Sequence, residues 1–135
     1  IPDCVVYAAG ILGDQEEEQK DFSKASKLYK EVLKEEPNNA KAHKQLGEIY
    51  MFAKKFNLAE EEFRLSLKYG KNYANIYNNL GMAYLGQGKF TKAKDSFQNA
   101  LKHDPKFVAA KFNLGTVFKI QGFPKKAKKN SIQKN

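Results

Sequence analysis

The sequence has one cysteine, Cys4, in 135 residues, which excludes an intramolecular disulfide and any CxxC metal motif. Its two histidines, His43 and His103, stand far apart in the chain, too thin a set for a zinc site. Tryptophan is absent and proline occurs four times. No apolar run reaches 18 residues, so no stretch is expected to span a membrane. The residues that enzymes need are also missing in pattern. No phosphate-cradling glycine loop, no pair of catalytic carboxylates and no nucleophile–histidine arrangement can be read, and the chain is expected not to be an enzyme. Neither a cofactor nor a metal is expected.

What is present is charge, and it is uneven. The net charge is +9. Residues 1–39 hold nine acids and five lysines, or −4, and residues 40–135 hold six acids and nineteen Lys or Arg, or +13. Lysines that solvate exposed helix faces are the plainer reading, and an acidic partner is the competing one. Phe and Tyr are plentiful, ten and seven, so a core can be built. The length suits one domain, taken as 1–135.

The aromatic residues recur at a fixed interval. Leu46-Gly47, Leu80-Gly81 and Leu114-Gly115 are spaced by 34 residues, as are Tyr50, Tyr84 and Phe118. Ala59 with Phe63 answers Ala93 with Phe97 at the same offset, and Pro105 closes the best copy. Within each copy the apolar residues fall three and four apart, as an amphipathic helix requires. Gly86, Gln87, Gly88 and Lys89 break one helix from the next. Because Gly86-Gln87-Gly88 follows a helix, it is not a dinucleotide loop, which must follow a strand.

On these residues the chain resembles a tetratricopeptide repeat array. The resemblance implies an all-α fold, a right-handed α-solenoid of antiparallel helix hairpins (the TPR superhelix). Repeats are expected over 6–39, 40–73, 74–107 and 108–135, the first degenerate and the last truncated. The first repeat is expected to hold helices from about Cys4 to Gln19 and from Phe22 to Glu35, with Asp21 or Ser23 capping the second. An alternative register there makes Gly13–Lys20 a long acidic turn. In the second repeat Ala53-Lys54 stands where glycine is usual, which predicts a tighter turn or a longer first helix. Gly70 is expected to close its helix in the left-handed conformation. Gly122 should end the next-to-last helix and Pro124 open a final, lysine-coated one. Gly47, Gly81 and Gly115 each predict a close helix approach, because glycine inside a helix otherwise costs about 0.5–1 kcal/mol.

Function is expected to reside in residues the packing does not use. The resemblance implies that the first helix of every repeat lines a concave groove. Its groove positions here are Lys41, Lys44, Gln45, Glu48 and Phe52, then Asn75, Asn78, Asn79, Met82 and Leu85, then Phe112, Asn113 and Thr116. Gln45, Asn79 and Asn113 would form an amide ladder, each offering a donor and an acceptor to a peptide backbone. Met82, Phe52, Leu85 and Phe112 would add adaptable apolar contact. Only Lys41 and Lys44 are cationic nearby, so a clamp for a terminal carboxylate is not expected. The reading is a protein-interaction scaffold that holds an extended peptide or a partner helix, without specific nucleic-acid binding. The alternative is a self-associating adaptor or a pilotin-like lipoprotein. Ile1-Pro2-Asp3-Cys4 faintly resembles a lipoprotein cleavage box, although Asp3 is wrong for one, and a plain thiol in a cytoplasmic protein is the expectation.

Overall fold

The computed structural model describes the backbone of residues 21–134 and the side chains of residues 21–122. The expected helix over 4–19 and the character of Cys4 lie outside the described residues. Six helices follow one another. They are α1 (21–35), α2 (Ala40–Phe52), α3 (Phe56–Tyr69), α4 (Tyr73–Gly86), α5 (Phe90–His103) and α6 (Val108–Lys134). The described residues contain no strand. Asp21 and Ser23 are already inside α1, so neither caps it.

The hairpins α2–α3 and α4–α5 are built on one joint. Phe63 and Phe97 are fully buried. A Cβ on Gly47 would lie 2.6 Å from the Phe63 ring, and one on Gly81 would lie 2.5 Å from the Phe97 ring. The phenyl therefore occupies the space that glycine vacates. Ala59, Ala93, Ala83 and Ala100, all at 0 % exposure, let the backbones meet on either side. Ser66 is buried in this seam without cost in unpaired polarity, because its hydroxyl donates to the Ala40 carbonyl at 2.9 Å.

The turns follow one template with different residues. Lys55 N–H reaches the Tyr50 carbonyl at 2.8 Å, and Lys89 N–H reaches the Tyr84 carbonyl at 2.9 Å. Lys54 adopts φ 60° where its counterpart Gly88 has φ 75°. The Ala53-Lys54 turn is thus neither tighter nor preceded by a longer helix. The register of the packed hairpin forces lysine into the left-handed region. Gly70 departs from expectation in the other direction. Its backbone is extended, φ −105° and ψ −179°. Glycine is needed there for space, since a Cβ would meet the Ser66 carbonyl oxygen at 2.7 Å and the Ala40 Cβ at 2.9 Å.

The last repeat differs most. α6 continues through Gly122 and Pro124 as one helix, where a hairpin was expected. After Pro124 the sequence has Ala127 and Ile132 among Lys125, Lys126, Lys128 and Lys129, so a folded-back helix would have little apolar surface to bury. As a result Gly115 has nothing among the described residues within 4 Å of its absent Cβ, unlike its two counterparts, and Phe118 is half exposed.

α4 approaches both α2 and α6 as well as its sequence neighbours, while the backbones of α3 and α5 stay apart. Helices that meet across repeats lie on the inside of a curve. The right-handed α-solenoid therefore bends around α2, α4 and α6, and the inner face of that layer is the groove.

Candidate functional site

The groove is assembled from α2, α4 and α6. α2 is set at its start by Asn39, whose side chain accepts from the Ala42 N–H at 2.9 Å. Buried His43 locks the same end. Its Nδ1 lies 2.7 Å from Glu62 and its Nε2 lies 2.8 Å from the Pro37 carbonyl, tying α2 to α3 and to the preceding turn. α4 is held from behind by Ile76, Leu80, Ala83 and Tyr84, and α6 by Ala110 and Val117, all buried. Each helix thus presents its remaining face with little rotational freedom.

The amides are bonded across repeats. Asn79 Nδ2 donates to Glu48 of α2 at 3.3 Å and to Asn75 at 3.4 Å. Asn113 Nδ2 donates to Asn78 of α4 at 3.0 Å. Gln45, Asn79 and Asn113 are all half-buried, neither sealed nor fully exposed. Among the described residues, no donor reaches Oδ1 of Asn79 or of Asn113, so both oxygens keep their acceptor capacity toward the groove. Asn78 is different. It is 6 % exposed and spends its oxygen on Asn113, which makes it a support for the ladder's last rung.

The apolar members alternate with these amides. Phe52, Met82 and Phe112 are exposed, at 54, 40 and 74 %. Leu85 is partly buried and packs on the core. Thr116 Oγ1 donates to its own helix at the Phe112 carbonyl, 3.1 Å away. Lys41 is exposed, whereas Lys44 lies 3.8 Å from Glu48, one helical turn away. The described residues contain no group of three His, Cys, Asp or Glu side chains able to hold a metal ion.

Two features escaped the sequence reading. Glu48 is the acceptor that couples α2 to α4. Also, a cavity of about 730 Å³ lies where α1 meets the end of α2, around Phe22, Tyr50 and Phe52. The 34-residue comparison contained the signal for it, since Ser26 stands where the next repeat has Glu60 and Ala53 where it has Gln87.

The second inter-repeat joint shows what those two residues do. Gln87 Nε2 donates to Glu60 at 2.9 Å, and Lys89 and Arg64 each lie 3.4 Å from the same carboxylate. Burial of the Glu60 carboxyl works to raise its pKa. The Gln87 and Lys89 hydrogen bonds and the Lys89 and Arg64 charges overcome that, and the pKa ends below the ordinary value. Tyr84 beside it is pushed up, first by burial and then by the Glu60 charge.

Comparison with known proteins adds the following. Two family models described as tetratricopeptide repeat match residues 74–107 and 17–80, so that together they span 17–107. No curated protein sequence matches the chain. Among solved structures, a crystal structure of MamA is 31 % identical, with a TM-score of 0.73, covering 82 % of this chain and 64 % of that one. A MamA fragment (41-end) from Desulfovibrio magneticus RS-1 is 24 % identical, with a TM-score of 0.72, covering 85 % of this chain and 65 % of that one. This chain therefore spans just under two thirds of the MamA chains it matches. The second such domain of human RPAP3, solved in complex with the HSP70 peptide SGPTIEEVD, is 20 % identical, with a TM-score of 0.69, covering 74 % of this chain and 83 % of that one.

Proposed function

From the premise that the chain belongs to the tetratricopeptide repeat family, we propose that it is an interaction scaffold whose α2–α4–α6 groove holds an extended peptide segment of a partner protein. The observation that supports this best is the alternation along the groove of half-exposed amides with exposed Phe52, Met82 and Phe112. Unpaired amide oxygens accept from a ligand's backbone N–H groups whatever its sequence. The apolar side chains between them set a preference for apolar ligand residues. Adjacent packed helices stand roughly 8–10 Å apart, and an extended chain advances about 3.3 Å per residue. One amide per repeat would thus meet the ligand about every third residue. The human RPAP3 domain is a precedent for the fold holding a peptide. In this groove Lys44 is already engaged by Glu48, which favours backbone recognition over a terminal-carboxylate clamp.

The test is a double substitution, Asn79→Ala with Asn113→Ala, measured against the natural partner recovered by pulldown. Affinity is expected to fall about tenfold, on the basis of about 0.5–1.5 kcal/mol per hydrogen bond. Unchanged affinity would remove the ladder from the proposal.

A second reading rests on a different observation. The half-exposed Phe118 and the open Gly115 leave the outer side of α6 without a packing partner among the described residues. Such a face favours pairing between copies, which would make the mass in solution rise with protein concentration.

A further inference from the structure

The cavity at the α1–α2 joint lies apart from the ladder and shares only Phe52 with the groove residues. Its origin follows from the repeat. In the α3–α4 joint, Glu60 and Gln87 fill the gap, and the Glu60 carboxylate is bracketed by Arg64 and Lys89. Thirty-four residues earlier the bracketing cations are kept as Lys30 and Lys55, but the carboxylate has become Ser26 and the amide Ala53. The joint is consequently hollow, and among the described residues that line it these cations have no matching carboxylate. Lys27 and Lys54 add to the same rim, and the described residues lining the cavity include no Asp or Glu. Lys30 Nζ sits 5.9 Å from the Tyr50 ring centre. At the filled joint Lys89 and Lys92 sit 6.0 and 5.8 Å from the ring of Tyr84, the counterpart of Tyr50. The apolar wall also differs. Gly86 meets Phe56 in the filled joint, whereas Phe52 meets Phe22 in the hollow one, with ring centroids 4.4 Å apart and the planes tilted by 48°.

The geometry points to a second binding site here, for an acidic peptide segment of a partner protein in which a carboxylate is followed by an apolar residue. The ligand's carboxylate takes the place that Glu60 holds one repeat later, between Lys30 and Lys55. Its apolar neighbour rests on Phe22, Tyr50 and Phe52. Four lysines call for more than one carboxylate, which selects an acidic run over a single small acid. The volume, about 730 Å³, is in the range of peptide- and ligand-binding pockets.

The probe is a short capped peptide of alternating glutamate and leucine, fluorescently labelled and titrated into the full chain by anisotropy. Saturable binding is expected, weakening with added salt. Ser26→Glu supplies the missing carboxylate from within and is expected to lower affinity at least tenfold, while its thermal midpoint stays at or above that of the parent. Lys55→Gln, a surface change, is expected to lower affinity several-fold. Lys102→Gln, an exposed lysine on α5 outside both sites, is expected to leave it within about twofold. Three results overturn the proposal: no saturable binding, equal binding by parent and Ser26→Glu, or loss of binding in Asn79→Ala in place of Ser26→Glu. A tenfold gain in the triple variant Glu16→Gln, Glu17→Gln, Glu18→Gln also overturns it, because the chain's own acidic run would then be the occupant.

Discussion

Single residues in this protein carry unequal loads, and Lys54 shows it most plainly. It holds φ 60° in a turn whose counterpart uses Gly88. A non-glycine residue in the left-handed region carries a steric cost of about 1–2 kcal/mol, partly offset by the greater backbone freedom of glycine when unfolded. Lys54→Gly is therefore expected to stabilise the chain by about 0.5–1 kcal/mol, read as a higher urea midpoint with an unchanged slope. The sequence made this turn visible as a place lacking glycine but pointed to the wrong remedy. Periodicity reports which residues pack, and the packed hairpin then dictates the backbone even where the local residue resists. Gly70 shows the converse. Its type suggested a left-handed cap, while its cause is the closeness of Ser66 and Ala40, contacts to residues four and thirty positions away.

The unit of stability between elements is the joint, and Glu60 is its centre in the α3–α4 pair. Its folded pKa is lowered, so its contribution is fully present above the ordinary carboxylate range, about 4.3, and disappears as pH falls through the folded value. The parent is expected to lose stability on acidification across that window. Glu60→Gln, already without the charge, should be less stable at neutral pH and fall less steeply in acid, as followed by urea midpoints between neutral pH and about 3. At this scale the sequence was legible where a side chain repeats. Leu80, Ala93 and Phe97 announced their helices and their contact. It was silent on contacts made by side chains that do not repeat. Glu60 and Gln87 could not be paired in advance, because they stand 27 residues apart and belong to different hairpins. α6 was misread for a related reason. Gly122 and Pro124 look like punctuation, but a hairpin forms only if its second arm has apolar surface to bury, and beyond Pro124 the sequence offers almost none.

For the whole molecule, the fold class and the groove helices could be read in advance because a solenoid repeats its core residue for residue. The groove's state of bonding could not. Asn78 looked equivalent to its neighbours, yet burial gives it a supporting part, and Glu48 became a coupling acceptor only once α2 and α4 stood side by side. At this scale Phe118 decides the oligomeric reading. If the open side of α6 pairs copies, the mass from light scattering should rise with concentration, and Phe118→Lys should return it to that of a single chain. A parent that stays monomeric at high concentration would exclude that reading and leave peptide capture in the groove standing.

The separation of the α3 and α5 backbones has a mechanical consequence. The inner edge of the ribbon is stitched along its length by side chains, Asn79 to Glu48 and Asn113 to Asn78, and α3 is bonded to the next hairpin at one end alone, through Glu60 with Gln87 and Lys89. A strip fastened along one margin flexes easily about that margin. Ligand entry between those stitches would thus alter the sweep of the entire arc, coupling what is gripped at the centre to how far apart the two tips are held.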